Sequence, residues 1–131
     1  VLSLAIAATV ILGAALVQAE KTGAVNSHTY DTLGPADSFQ TGLAMYMADH
    51  GAVMYGSYKC PHCNQQKQMF GEAFRYIKYV ECNPKGENAN PSLCFAKGVM
   101  NYPTWEIDGK FYEGAMPLEQ LSKITGYDGS L

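Results

Sequence analysis

A Cys-Pro-His-Cys sequence at residues 60–63 constrains this 131-residue chain more than any other feature. The two cysteines are three positions apart and follow an apolar, strand-like run at residues 52–58. On a helix, positions i and i+3 share a face, so both sulfurs can meet within one turn and form a disulfide. Pro61 suits the first helical position, where its missing N–H costs nothing. The pattern predicts a strand, a turn and a helix with Cys60 as its cap.

A cysteine at that position is typical of redox chemistry. A cap residue faces unpaired N–H groups and the positive end of the helix dipole, which favour a thiolate over a thiol. His62, when protonated, would favour the thiolate further. We therefore predict that the catalytic residues are Cys60, Cys63 and His62, with Cys60 as the nucleophile and Cys63 as the resolving thiol.

Two other interpretations of the cysteine pair stay open from the residues alone. A structural zinc site would need further ligands, and Cys82 and Cys94 are available. Zinc sites usually close with a second short-spaced pair, whereas eleven residues separate these two, and neither His28 nor His50 has ligand spacing. We therefore expect no metal site. A purely structural disulfide between Cys60 and Cys63 is the other alternative.

Residues 1–19 differ in kind from the rest of the chain, because they are almost wholly apolar and carry no charge. Such a run is long enough to span a bilayer. It also resembles a secretory signal, since Val17-Gln18-Ala19 offers the small residues that signal peptidase accepts. The run has no charged leader, so we expect the natural start to lie further upstream. A transmembrane helix and a cleaved signal both remain possible, and a buried core helix is the third reading.

The composition and the cysteines limit the cellular compartment in which the protein works and the partners that it binds. The formal net charge is −3 and there is no basic run, so we expect no nucleic-acid binding. Disulfide chemistry persists in oxidising compartments. We therefore expect a membrane-anchored protein with its domain in the periplasm or thylakoid lumen, or a secreted or periplasmic protein if residues 1–19 are a signal peptide.

The remaining pattern predicts one α/β domain at residues 38–131, after a polar linker at residues 20–37. We expect helices at 38–50, 61–74, 92–97 and 118–124, strands at 52–58 and 77–82, and a hairpin of 104–107 with 110–113 around an Asp-Gly turn. This order suits a central sheet with helices on both faces.

Pro103 directly precedes the hairpin, where a proline fits because it cannot donate to a sheet ladder. Composition alone predicts a trans bond before it.

The arrangement of the dithiol turn, the second strand and the proline before the hairpin resembles the thioredoxin fold, a central mixed sheet flanked by helices. Here the apolar helix of residues 1–19 would precede it. The resemblance implies a cis bond at Pro103. It also implies that Tyr102 and Pro103 bind substrate, with the Tyr102 backbone pairing to an extended client segment. Reductases of the thioredoxin type carry a buried acid six residues before the nucleophile, where this chain has Met54.

Residues 54–63, 66–71, 79–82 and 102–105 are similar to one subfamily, the thioredoxin-like domain fused to bacterial and plant homologues of vitamin K epoxide reductase. In that family the domain follows the last helix of a quinone-reducing membrane bundle and oxidises secreted proteins. The extra pair Cys82 and Cys94 is part of this resemblance. We interpret it as a structural disulfide, with an electron-relay pair as the alternative.

The resemblance implies a thiol-disulfide oxidoreductase that exchanges disulfides with reduced client proteins, in the oxidising direction. The chain lacks the four-helix bundle, so we expect no cofactor in it and a quinone on a fused or separate membrane partner. The alternatives are a disulfide reductase or isomerase, and a membrane-anchored peptide-binding module whose CxxC is structural or zinc-bound.

Overall fold

A computed structural model describes residues 33–129 of the chain. Four helices and four strands follow one another in the predicted order, with a 3-10 segment (Gly71–Tyr76) after the second helix. They are α1 (Ser38–Asp49), β1 (Val53–Gly56), α2 (Pro61–Phe70), β2 (Lys78–Glu81), α3 (Pro91–Ala96), β3 (Thr104–Ile107), β4 (Lys110–Glu113) and α4 (Leu118–Thr125).

The four strands form one mixed sheet in the order β2-β1-β3-β4. Strands β1 and β2 are parallel, whereas β3 is antiparallel to both β1 and β4. The β3–β4 hairpin has the predicted bounds, and its turn residues Asp108 and Gly109 both have positive φ, at 50° and 73°. This is the backbone that a tight Asp-Gly hairpin turn requires.

Alternate residues of the central strands enter two separate cores, one on each face of the sheet. Met54 and Trp105 belong to the larger core, which α1, α2, the 3-10 segment and α4 cover. Val53 and Tyr55 belong to the smaller one, which contains Cys94 of α3. Helices therefore lie on both faces, as predicted, and the mixed sheet with its helices fits a thioredoxin-like fold.

The predicted helix at residues 61–74 is wrong in its last four residues, because the α-helix ends at Phe70. Gly71 takes φ +58°, and a Cβ at this position would lie 2.6 Å from the carbonyl O of Gly34. The Glu72 N–H donates to the same carbonyl over 2.9 Å. This contact between distant segments fixes the break, so helical periodicity alone did not indicate it.

The predicted apolar helix at residues 1–19 lies outside the described residues, as do most of the predicted linker and His28. The last part of that linker is described, and there Leu33 and Ala36 pack against the larger core. Within residues 33–129, no helix is both long and apolar enough to cross a membrane.

Candidate redox site

Cys60 lies at the junction of β1 and α2, where the sequence predicts it. It is the N-cap of α2, with extended backbone (φ −80°, ψ 119°), and Pro61 occupies the first helical turn. The Cys60 N–H donates to the Ser57 carbonyl over 3.0 Å, and the Cys60 carbonyl accepts from the N–H of Asn64 over 3.1 Å. A short turn thus carries the chain directly from the sheet to the dithiol.

The two thiols differ sharply in exposure. Both are free in this structure; Cys60 is partly exposed and Cys63 is fully buried. Burial raises the pKa of the Cys63 thiol to about 12, although a hydrogen bond from the Ser57 backbone opposes the shift. An external thiol or disulfide can therefore reach Cys60, while Cys63 is held as a buried thiol beneath it.

The segment before β3 contacts Cys60 of the dithiol. The Sγ atom of Cys60 lies 3.5 Å from the carbonyl O of Tyr102, to which the thiol donates. The Tyr102–Pro103 bond is cis. Pro103 is buried, and its carbonyl accepts from the Gly114 N–H over 2.7 Å. Tyr102 keeps 37% of its surface exposed, so this residue stands at the surface next to Cys60.

The histidines and the tryptophan have separate environments. His62 is exposed on the first turn of α2, and in sequence it lies between the two cysteines. His50 contacts the last turn of α1, where its Nδ1 lies 2.8 Å from the Tyr46 carbonyl O. Trp105 is fully buried, and its Nε1 donates to the Oε1 of Gln66 over 3.2 Å. The tryptophan is therefore a core residue.

Sequence reasoning missed three residues beside the buried thiol. Lys67 lies one helical turn after Cys63 on α2, and its Nζ is 3.9 Å from the centre of the Tyr79 ring. The Tyr79 hydroxyl donates to the Oε2 of Glu81 over 2.7 Å, and Glu81 is buried. The i, i+4 spacing of Cys63 and Lys67 is visible in the sequence, but the two β2 residues become neighbours only when β2 pairs with β1.

Cys82 and Cys94 form a disulfide, with an S–S distance of 2.05 Å and a Cα–Cα distance of 5.8 Å. Both are buried in the smaller core, whereas Cys63 belongs to the larger one on the opposite face of the sheet. The thiols that a four-cysteine zinc site would need are thus bonded to each other. In residues 33–129, no three His, Cys, Asp or Glu side chains are grouped to hold a metal ion.

A mixed sheet flanked by helices, with a dithiol at the start of α2 and the cis Tyr102–Pro103 bond next to Cys60, fits a thioredoxin-like fold. No protein-family model matches the chain. In an alignment of 93 residues that covers 68% of the chain, it is 37% identical to a protein of Arabidopsis thaliana named Thiol-disulfide oxidoreductase LTO1. The matched region is 25% of that relative, so the chain spans about a quarter of the curated protein's length.

Proposed function

We propose that this chain is a protein thiol-disulfide oxidoreductase that exchanges disulfides with secreted or lumenal client proteins through Cys60 and Cys63. The observation that carries the proposal is the pairing of a partly exposed Cys60 with a fully buried Cys63. A nucleophile must be reached by the client, and a resolving thiol must be protected from it. The name of the Arabidopsis relative supports the same chemistry.

In the oxidising direction, a client thiolate attacks the Cys60 sulfur of the Cys60–Cys63 disulfide. The new bond joins client and Cys60, and the electron pair of the old bond leaves on the Cys63 sulfur. The second client thiolate then attacks the client sulfur of this mixed disulfide, which releases Cys60 as a thiolate. The client loses two electrons and the domain gains them.

The surface next to Cys60 supports recognition of an extended client segment. The Tyr102 carbonyl is within 3.5 Å of the Cys60 sulfur, and the Tyr102 side chain is partly exposed. Main-chain pairing to such a segment gives affinity without demanding one client sequence. Tyr102 and Pro103 are therefore the proposed substrate-binding residues.

The oxidising direction and the membrane partner belong to the same proposal. The Pro61-His62 insert, which resembles that of periplasmic disulfide oxidases, favours donation of disulfides. The domain would pass its electrons to a quinone held by a vitamin K epoxide reductase-like bundle, fused to this chain or separate from it. Residues 1–19 would then join the domain to the membrane.

The test is oxidation of a synthetic dithiol peptide by the disulfide form of the protein in single turnover, without added oxidant. We expect one equivalent of peptide disulfide per protein, and none from Cys60→Ser. A wild-type protein that binds the peptide but leaves it reduced would be a peptide-binding module, and the proposal would be wrong. The same assay started from reduced protein and peptide disulfide measures the equilibrium, and a position far towards peptide dithiol would favour a reductase.

A further inference from the structure

When the Cys60–Cys63 disulfide opens, the Cys63 sulfur becomes a negatively charged thiolate in an apolar environment. When a thiol attacks the Cys60 sulfur, the electron pair of the disulfide goes to the Cys63 sulfur, which is fully buried in the larger core. An unpaired anion there is costly, and the thiol is the favoured form. Met54, on the adjacent strand and also fully buried, has no proton to give. A proton must therefore reach Cys63 from another group.

One cation lies on the same side of α2 as Cys63. Lys67 follows it by four residues, which places the two side chains on one helical face. The Lys67 amine is 3.9 Å from the centre of the Tyr79 ring and 5.6 Å from that of Phe74. In residues 33–129 no carboxylate oxygen lies within 4.0 Å of this amine, and both of its cation–π contacts are with these aromatic rings.

Tyr79 links the lysine to the thiol. A Cβ at Gly56 would lie 2.8 Å from the Cys63 sulfur and 3.1 Å from Cε2 of Tyr79, so sulfur and ring meet at this glycine. Glu81 fixes the ring by accepting from the Tyr79 hydroxyl, and it also accepts from the N–H groups of Tyr58 and Asn83. The Tyr79 ring, which contacts the Lys67 amine, is thus held beside the Cys63 sulfur.

We propose that Lys67 is the proton-exchanging group of the buried thiol, positioned by Tyr79 and Glu81. This inference rests on the proposed disulfide exchange. As the Cys60–Cys63 bond breaks, the Lys67 ammonium gives one proton to the Cys63 thiolate, directly or through a water. The products are a neutral thiol and a neutral amine, and the amine recovers its proton from solvent. In the reverse reaction the amine takes the proton as Cys63 attacks.

The groups around Lys67 favour transfer in that direction. Burial lowers the pKa of Lys67, while the charges of Glu81 and Cys63 oppose the shift. Burial raises the pKa of Cys63 to about 12. The pKa of the Tyr79 hydroxyl is raised, by burial first and then by its bond to Glu81, so the phenol holds its proton more tightly than the lysine. Of the two side chains Lys67 and Tyr79, the lysine therefore gives up its proton more readily.

The test compares Lys67→Met and Lys67→Arg with wild type in single-turnover oxidation of a dithiol peptide, followed across pH. Methionine keeps the stem and removes the charge, whereas arginine keeps the charge but does not give up its proton. We expect both variants to be about 100-fold slower at neutral pH, the lower end of the usual contribution of a general acid. The wild-type rate should show a falling limb at high pH, where the amine is neutral, and both variants should lack it.

Lys59→Met is the matched control, because Lys59 is an exposed cation on the turn just before Cys60. It should retain the wild-type rate and pH profile. A wild-type rate in Lys67→Arg would mean that only charge matters, and it would overturn the proton transfer; so would a wild-type profile in Lys67→Met. If wild-type protein does not oxidise the peptide at all, the proposed function fails instead. Circular dichroism and thermal melting of each variant identify any loss of rate that comes from misfolding.

Discussion

The Cys60 sulfur lies 3.5 Å from the carbonyl O of Tyr102, although 42 residues separate them. The contact joins the start of α2 to the segment that opens β3, at an exposed edge of the domain. An extended peptide pairing with that segment would bring its own sulfur to Cys60. Recognition and chemistry are therefore expected to occur at one place, with Cys63 directly beneath it.

Replacing His62 with threonine should make the dithiol less oxidising. A protonated imidazole next to Cys60 would stabilise its thiolate and so the reduced protein. Loss of that charge should shift the equilibrium with glutathione towards the protein disulfide by about tenfold, or about 30 mV. His50→Thr is the control, because the His50 ring contacts Tyr46 at the end of α1. An unchanged reduction potential in His62→Thr would show that His62 does not set the oxidising power of the dithiol.

Gln66→Leu should destabilise the domain by about 3 kcal/mol. The buried Gln66 Oε1 accepts from the Trp105 Nε1–H and from the Met116 N–H, and its Nε2 donates to the Met116 carbonyl. Leucine would leave these buried groups without partners. Urea unfolding measures the loss, with the exposed Gln68→Leu on the same helix as control. Equal stability of the two variants would mean that water replaces the amide.

Removing the second disulfide should lower stability and spare the exchange reaction. A Cys82→Ala, Cys94→Ala double variant should lose about 3 kcal/mol, the expected effect of opening a loop of this size. Single-turnover peptide oxidation by Cys60 and Cys63 should persist below the melting point. In mass mapping under mild reductant, the Cys82–Cys94 bond should open later than Cys60–Cys63. Early opening, with slower exchange in the double variant, would favour an electron relay.

The stability of the reduced protein should fall in alkali because of Cys63. Burial raises the pKa of this thiol from 9.0 to about 12 in the folded state. Its protonated form therefore contributes stability that is complete below the unfolded pKa and is lost as pH rises from 9 towards 12. Urea unfolding of reduced wild type and Cys63→Ala between about pH 8 and about pH 11 measures it. The difference in unfolding free energy should shrink with pH, and a constant difference would contradict the shift.

Short sequence motifs were enough to predict those element boundaries that neighbouring residues determine. The Asp108-Gly109 turn gave the hairpin bounds, and Pro61 gave the start of α2. The end of α2 depends on Gly34 and Gly71, which meet only in the folded chain. The grouping of Lys67, Tyr79 and Glu81 beside Cys63 depends on strand pairing. Tyr79 and Glu81 lie opposite Met54 and Gly56 in the β1–β2 register. Neither relationship has a period in the sequence that would reveal it.

The most direct test of the account is covalent trapping of clients by Cys63→Ser. Without a resolving thiol, a mixed disulfide formed at Cys60 should persist. Incubating the variant with a reporter peptide disulfide should give one stable adduct, mapped by mass spectrometry to Cys60. The Cys60→Ser variant should give little or none, because Cys63 is buried. Adducts of similar yield at Cys63, or no adduct at a Cys60 that still reacts with a small alkylating agent, would contradict the assignment of nucleophile and resolving thiol.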